Sequence, residues 1–273
     1  MEVDFVKISP TQNMTILVTS PLDRIDYVKT AEKIMAYDNV HAEQVGFVEK
    51  ALNPKALARL QMAGGEFCGN ASLALCAWLK WKGKAENSDS STVPIEASGL
   101  DELLCCEIKK VDDYFLGKIS MPIPELVKDY YIEISGKEYC FAVVYMPGIS
   151  HVIVNTEQIA IGEETIVDAL ISNLDAITCD DAFGVMHYDK KRRFLKPFVY
   201  VKTAGTKVWE RGCGSGTAAL GAYLAYVSGR KTKAAIAQPG GTITVEAEIM
   251  DGIIANLTIE GKIVIVAEGK AQL

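Results

Sequence analysis

The fold follows from Gly64-Gly65-Glu66-Phe67-Cys68-Gly69-Asn70, a turn-forming run that opens the apolar segment 71–79. A second run, Gly212-Cys213-Gly214-Ser215-Gly216, opens the apolar segment 217–226 in the same way. Both segments are rich in Ala and Leu and stop near a glycine, a pattern that predicts buried helices. The cysteines lie 145 residues apart, about half of the 273-residue chain. This spacing indicates an internal duplication.

The segments around the two runs also follow a shared order. Each run is preceded by strand-like and helical stretches and followed by two strand-like stretches. In the first half these are strands 14–18 and 44–48, helix 26–37, and strands 103–109 and 114–121; in the second they are strand 151–154, helix 164–174, and strands 242–249 and 253–259. We therefore predict an α/β (α+β) protein of two similar domains, with a boundary in the proline-bearing stretch 121–128. The expected domains are 1–122 and 123–263, with a last strand, 264–273, returning to the first.

Composition excludes several classes of protein. The formal net charge is −7, and the longest basic run, residues 190–193, is a short one that we expect in an exposed turn. Nucleic-acid surfaces need clustered Lys and Arg, so no nucleic-acid partner is expected. No stretch approaches the roughly 20 apolar residues of a membrane span. The first residues also lack the pattern of a signal peptide, so we expect a cytoplasmic protein that does not bind a membrane.

The seven cysteines follow no disulfide spacing and are expected to be free thiols in a reducing compartment. No Cys-x-x-Cys is present and the three histidines are scattered, so no structural zinc site is predicted.

A cysteine just before a helix meets unpaired backbone N–H groups and the positive end of the helix dipole. These groups stabilise a thiolate and also bind a carboxylate. If Cys68 and Cys213 face each other across a cleft between the domains, one thiolate removes the Cα proton of a bound amino acid. The other thiol then returns a proton to the opposite face. The pattern favours a racemase or epimerase that needs no cofactor and no metal.

A simpler interpretation is that a cysteine before a helix is a small buried capping residue. We apply it to the other five cysteines, which lie in apolar or strand-like surroundings and are expected to be buried: Cys76, Cys105, Cys106, Cys140 and Cys179. The duplicated surroundings of Cys68 and Cys213 favour function instead.

At these residues the chain resembles the diaminopimelate epimerase family over nearly its whole length. The resemblance rests on six motifs, namely Asn13 before a strand, Gln44 before Val-Gly-Phe, Glu66 to Ala71, Gly148 to His151, Trp209 to Gly212, and Cys213 to Thr217. It implies two pseudo-symmetric domains, each a curved mixed sheet around a central helix, with the active site in the cleft between them. It also implies Cys68 and Cys213 as the acid–base pair and a small amino acid as the substrate.

The resemblance further implies which residues bind the substrate. The α-carboxylate would be held mainly by backbone N–H groups, and other side chains would line the cleft. The residues concerned are Gly69, Asn70, Gly214, Ser215, Gly216 and Thr217 for the carboxylate, Asn13 and Gln44 along the cleft, and His151 and Glu210 near the α-amino group and the thiols. Structural roles remain open for three of these: a turn cap for Asn13, a core position for His151 and a surface ion pair for Glu210.

Two departures from the family pattern concern the substrate. The usual Gly-Asn-Pro-His is Gly148-Ile149-Ser150-His151 here, and Cys213 follows Glu210-Arg211-Gly212 directly, without an intervening loop. Both changes affect the part that holds the far end of diaminopimelate, and a missing polar partner discriminates strongly between substrates. The sequence is more similar to the histidine racemase branch, through 13–18, 43–47, 66–71, 213–218 and 238–241. We predict a histidine racemase, with diaminopimelate epimerase as the alternative.

Alternatives of other classes remain. Related proteins that use this fold for dehydration or isomerisation replace one cysteine, and both are present here. The two thiols could instead form a switchable disulfide in a redox or binding protein for a small amino acid. The resemblance also implies a possible homodimer.

Overall fold

The computed structural model describes residues 1–86, 88–159 and 161–273. It divides into two compact units, Met1–Ser120 with Glu260–Leu273, and Met121–Ile259.

The first unit is a mixed sheet with two helices. Its elements in chain order are β1 (Glu2–Pro10), β2 (Thr15–Val18), α1 (Tyr27–Met35), β3 (Gln44–Glu49), β4 (Arg59–Met62), α2 (Gly69–Trp81), β5 (Ser90–Ala97), β6 (Leu104–Val111) and β7 (Tyr114–Ser120). The second unit contains β8 (Leu126–Ile134), β9 (Lys137–Met146), β10 (Ile149–Asn155), α3 (Glu163–Ser172), α4 (Leu174–Ile177), β11 (Ala182–Asp189), β12 (Phe194–Val201), β13 (Thr206–Trp209), α5 (Gly214–Ser228), β14 (Thr232–Gln238) and β15 (Gly241–Met250). The last strand, β16 (Ile253–Gln272), belongs to both.

Within the first unit the strands follow one another in chain order from β1 to β7, and β16 lies next to β7. Residues 263–272 of β16 pair antiparallel with β1, with a bulge between Lys7 and Ile8, so the sheet closes on itself. Helix α2 contacts all of β1 to β7 and is buried from Gly69 to Leu79. A helix that is apolar all round is stable only in such a core.

The sheet of the second unit runs in the order β8-β9-β10-β11-β12-β14-β15-β16, with β13 paired to β12. Helix α5 contacts β9, β10, β11, β14 and β15. A separate core cluster contains Ile166, Val167 and Leu170 of α3 together with Val152 and Val185 of the sheet. Each unit thus has a buried helix that begins at a cysteine, which is what the duplicated sequence pattern predicts.

Some details of the fold differ from the sequence-based expectations, and others agree with them. Residues 253–259 and 264–273 form one continuous strand rather than two segments. Cys76 and Cys106 are buried as expected, whereas that expectation is wrong for Cys105, Cys140 and Cys179, which are exposed. On β6 the alternation of strand side chains exposes Cys105 and buries Cys106. Residues 190–193 form the exposed turn that their charge predicts.

Among the helices of the described residues, none combines the length and the apolar character that a membrane span requires.

Candidate active site

Cys68 is the N-cap residue of α2. Its backbone is extended, and its sulfur accepts a hydrogen bond from the backbone N–H of Ala71 at 3.4 Å. The Ser72 hydroxyl donates to the Cys68 carbonyl oxygen at 2.8 Å and closes the first turn. Cys68 is partly exposed. The Cys68 sulfur is thus held at the positive end of a buried helix, where negative charge is stabilised.

A polar network formed by Asn13, Thr15 and Gln44 contacts the Cys68 sulfur. The thiol donates to Oε1 of Gln44, with 2.9 Å between sulfur and oxygen. Nε2 of Gln44 donates to Oδ1 of Asn13 at 2.6 Å and to Oγ1 of Thr15 at 2.8 Å. Asn13 and Thr15 are buried. The structure therefore brings Asn13, Gln44 and Cys68 together, three residues that the sequence singled out.

Cys213 has the same position at the start of α5. Its backbone is extended, and its sulfur accepts from the N–H of Gly216 at 3.3 Å. The Ser215 hydroxyl lies 3.6 Å from the sulfur. The N–H and the hydroxyl of Thr217 both donate to the Cys213 carbonyl oxygen, so Thr217 stabilises the helix start. Cys213 is only 3% exposed, which makes it much less accessible than Cys68.

Glu210 sets the electrostatics of the second thiol. Burial raises the pKa of the Cys213 thiol well above its ordinary value, and the charge of Glu210 and its hydrogen bond to the thiol raise it further. The Ser215 hydroxyl and the Gly216 N–H act in the opposite direction. One carboxylate oxygen of Glu210 is fully buried. The arrangement places the Glu210 carboxylate in hydrogen-bond contact with the Cys213 thiol and favours the protonated form of that thiol.

Gln238, at the end of β14, fixes the backbone of Cys213. Its Oε1 accepts from the Cys213 N–H at 2.8 Å, and its Nε2 donates to Oγ1 of Thr217 at 2.7 Å. Gln238 is buried. A residue 25 positions away therefore holds both ends of the first turn of α5.

His151 lies in the core rather than at the surface of the second unit. It is 0% exposed, and neither ring nitrogen has a hydrogen-bond partner among the described residues. Burial lowers the pKa of its imidazole to about 3, so the ring is neutral. It packs over Gly184, where a Cβ atom would come within 2.1 Å of its Nδ1. His151 is therefore buried in the core, a position that the sequence left open, and its place near the substrate α-amino group stays a prediction.

Met186 connects this core to the thiol. A Cβ atom on Gly216 would lie 2.2 Å from the Met186 sulfur and 3.2 Å from the Cys213 sulfur, and one on Gly184 would lie 2.9 Å from the Met186 methyl group. Only glycine fits at 216 without displacing one of these atoms. Gly216 therefore lets the helix start approach Met186 closely.

The remaining sequence-derived residues lie at the two helix starts. Gly69 and Asn70 form the first residues of α2, and Gly214 and Ser215 those of α5. N–H groups in a first helical turn lack intrahelical acceptors and are suited to bind an anion.

The sequence alone indicates no role for Thr15, Ser98 or Met186. Gln238 appears there only in the stretch 238–241, which is similar to the histidine racemase branch. Thr15 begins the apolar strand β2, and Met186 lies inside β11. Ser98 donates to the carbonyl oxygen of Glu66 in the loop before Cys68. Ser98-Gly99 and Gln238-Pro239-Gly240-Gly241 occupy matching places after the two helices, and this repetition was the available signal.

The fold is that of racemases and epimerases of known structure. The chain is similar to a hydroxyproline epimerase from Agrobacterium vitis with a TM-score of 0.74 and 14% identity, over 100% of this chain and 93% of that one. A probable proline racemase from Agrobacterium radiobacter gives a TM-score of 0.69 and 16% identity, over 99% and 92% of the two chains. At such low identities the likeness shows the fold alone.

Sequence comparison is more specific. Residues 2–272 match the family model described as the histidine racemase CntK N-terminal domain. A histidine racemase of Fusobacterium nucleatum is 37% identical, over 99% of this chain and 97% of that protein. One of Staphylococcus aureus is 29% identical, over 99% and 98% of the two chains. The chain belongs to the histidine racemase CntK N-terminal domain family and is an isomerase.

Proposed function

We propose that this protein interconverts L- and D-histidine and that Cys68 and Cys213 are its two acid–base groups. The observation that carries the proposal is the matched position of the two sulfurs. Each belongs to the N-cap residue of a long buried helix, and each accepts a backbone N–H of the first turn.

The proposed reaction inverts Cα by two proton transfers. One cysteine, as a thiolate, removes the Cα proton and becomes a thiol, which leaves a carbanion delocalised into the substrate carboxylate. The other cysteine, as a thiol, donates its proton to the opposite face of Cα and becomes a thiolate. Product release leaves the two protonation states exchanged, so the enzyme can act on the other enantiomer. No cofactor or metal takes part in these steps.

The helix starts supply the carboxylate binding that the reaction needs. We assign the α-carboxylate to the N–H groups around Gly69, Asn70, Gly214, Ser215 and Gly216. Negative charge grows on the carboxylate oxygens as the proton leaves, and helix N-termini stabilise such charge. The same N–H groups therefore bind the substrate and lower the barrier.

Glu210 is proposed as the group that controls the proton on Cys213. Its carboxylate hydrogen-bonds the thiol, so it can accept the proton when the substrate brings its own charges. Its negative charge also suits the substrate α-ammonium group. On the other side, the Asn13 and Gln44 amides are proposed to line the substrate position beside Cys68.

Two observations support histidine as the substrate. The relatives named histidine racemase match nearly the full length of the chain. In addition, Gly148-Ile149-Ser150-His151 lacks the asparagine of the diaminopimelate epimerase pattern, and Cys213 follows Glu210-Arg211-Gly212 directly. Both features disfavour a substrate with a second amino-acid end.

The proposal is tested by Cα deuterium exchange in heavy water, with reductant present and after dialysis against a chelator. The panel contains both enantiomers of histidine, L-proline and meso-diaminopimelate, and chiral chromatography follows the products. We expect exchange and inversion with both histidine enantiomers. Exchange into diaminopimelate but not histidine would overturn the substrate, and no exchange at all would overturn the reaction.

We also propose a cytoplasmic homodimer. Free thiols at the exposed positions Cys105, Cys140 and Cys179 suit a reducing compartment. Sedimentation equilibrium should give twice the chain mass, and the mass of one chain would contradict the dimer.

A further inference from the structure

The carboxamide of Gln44 is held at both ends. Its nitrogen carries two hydrogens, and both are donated, one to Asn13 Oδ1 at 2.6 Å and one to Thr15 Oγ1 at 2.8 Å. The Thr15 hydroxyl hydrogen is itself donated to the Asn13 carbonyl oxygen at 3.2 Å. Thr15 is 0% exposed, so water does not compete for its hydroxyl group. The orientation of the Gln44 amide is therefore fixed from within the protein.

This orientation turns the amide oxygen, not the amide nitrogen, toward the Cys68 sulfur at 2.9 Å. An amide oxygen accepts hydrogen bonds and has no hydrogen to donate. It stabilises the protonated thiol, which donates to it, and it repels a thiolate, which also carries only lone pairs. A reversed amide would place N–H groups at the sulfur and favour the thiolate instead.

In the second unit a glutamine and a threonine also lie beside the cysteine, but their contacts with it are different. Nε2 of Gln238 also donates to a buried threonine hydroxyl, that of Thr217, but its oxygen accepts the backbone N–H of Cys213. The Cys213 sulfur is hydrogen-bonded to the carboxylate of Glu210. The acceptor at Cys213 can thus take up a proton, whereas the acceptor at Cys68 cannot.

We propose that Thr15 is a positioning residue for Cys68. Its hydroxyl group locks the Gln44 carboxamide with the oxygen toward the sulfur and so holds the proton on this thiol in the free protein. From this state Cys68 enters the reaction as the acid and becomes a thiolate when the substrate takes the proton. That thiolate is the base for the opposite enantiomer in the next turnover. The acid role of Cys68 in this inference rests on the proposed function.

The charged side chains nearest to this network in the sequence are turned to other partners. The carboxylate of Glu43, in the residue before Gln44, accepts the backbone N–H of Met14. The carboxylate of Glu66, two residues before Cys68, lies beside Gly64. A change at Thr15 therefore acts directly on the orientation of the Gln44 amide, through the hydrogen bond that joins the two side chains.

The test uses Thr15→Val, which keeps the shape of the side chain and removes the hydroxyl group. Controls are Thr15→Ser, which restores the hydroxyl, and Thr30→Val, at a buried threonine of α1. Alkylation of Cys68 by iodoacetamide is followed from pH 6 to 9 by peptide mass spectrometry, with exposed Cys105 as the internal reference. Only the thiolate reacts, so the rate reports the fraction of Cys68 that has lost its proton.

We expect Thr15→Val to raise the labelling rate of Cys68 at pH 7 about tenfold, equivalent to about one pKa unit. Thr15→Ser and Thr30→Val should label at the wild-type rate. For histidine racemisation, the main effect of Thr15→Val should be a fall in kcat, because Thr15 is fully buried and acts on the substrate only through the Gln44 amide. Gln44→Met removes the amide itself and should also accelerate the labelling of Cys68. This variant replaces Thr15→Val in the test if Thr15→Val does not fold.

Unchanged Cys68 labelling in a folded Thr15→Val or Gln44→Met protein would overturn the inference, as would an equal acceleration in Thr30→Val. The labelling result does not depend on turnover. A wild-type protein that does not racemise histidine would overturn the proposed function, while the labelling would still decide the role of Thr15.

Discussion

The hydroxyl group of Ser98 donates to the backbone carbonyl of Glu66 at 2.7 Å and ties the turn after β5 to the loop that carries Cys68. In the second unit the backbone N–H of Gly240 donates to the carbonyl of Arg211, also at 2.7 Å. Each acceptor lies two residues before its cysteine. The duplication is thus retained in the contacts that hold the two cysteine loops in place.

Ser98→Ala should weaken the first of these contacts. The Ser98 hydroxyl also accepts the buried N–H of Met62 at 3.0 Å, so the substitution leaves two backbone groups, one buried and one partly buried, without their partner. We expect a loss of about 1–3 kcal/mol in the free energy of unfolding and a lower kcat, measured by urea unfolding and histidine racemisation. Ser90→Ala, at an exposed position of β5, is the control. Equal stability and activity in both variants would contradict the role of Ser98.

The two central helices were predictable because they are long, apolar and bounded by glycine. The cysteine at each helix start was also predicted, but the exact first residues were not. The apolar runs begin at residues 71 and 217, whereas α2 begins at Gly69 and α5 at Gly214. Glycine has low helix propensity, but here the cysteine side chains cap the first turns and Gln238 supports the second. The two caps are local contacts between residues three apart, whereas the contact with Gln238 joins residues 25 apart and is not contained in a local pattern.

The same limit applies to the site. The cysteines were found because their surroundings repeat, and Gln44 and Asn13 through a family resemblance. Thr15 acts through Gln44 of β3, and Met186 packs against Gly216 at the start of α5, so nothing in the local sequence separates them from other core residues. The core position of His151 also depends on Gly184, which pairs with it across β10 and β11.

Gly216→Ala should damage the site more than the fold. The added methyl group would meet the Met186 sulfur and press on the Cys213 sulfur, so we expect a large loss of kcat. Gly221→Ala, one turn further along α5, clashes with Val245 at a comparable 2.3 Å and is the matched control. Both should lose about 1–3 kcal/mol of stability, measured by thermal unfolding, but Gly221→Ala should keep its activity. Equal activity in the two variants would contradict the placement.

Glu210→Gln removes the negative charge of the side chain and keeps its size nearly unchanged. A neutral amide no longer raises the pKa of the Cys213 thiol by its charge, so that pKa should fall and alkylation of Cys213 in the folded protein should become faster. Because the amide cannot accept the proton, kcat should drop by about 100-fold. Glu66→Gln, two residues before the other cysteine and exposed, should leave both unchanged. A fully active Glu210→Gln protein would exclude Glu210 as the proton acceptor.

Acid should destabilise the second unit through its buried histidines. Burial lowers the pKa of His151 to about 3 and that of His187 to about 4, whereas an unfolded imidazole titrates near 6.5. The unfolded chain therefore binds more protons below pH 6.5, and stability is lost as the pH falls from 6.5 toward 4. Each histidine contributes a slope of about 1.4 kcal/mol per pH unit.

His187→Phe removes one of these contributions and fills a position beside Trp209, 5.5 Å away between ring centroids. Urea unfolding between pH 6.5 and 4.5 should show a mean slope smaller by about 1 kcal/mol per pH unit than in the wild type. Identical slopes would mean that His187 is not held neutral in the folded protein.

The central claim is that both cysteines move protons at the same substrate carbon. The direct measurement is net inversion of L-histidine and of D-histidine in heavy water by the wild type, Cys68→Ser and Cys213→Ser, with exposed Cys105→Ser as the control. We expect Cys105→Ser to match the wild type and each of the other two variants to lose at least about 1000-fold in inversion of both enantiomers. Wild-type inversion by either Cys68→Ser or Cys213→Ser would contradict the two-cysteine mechanism.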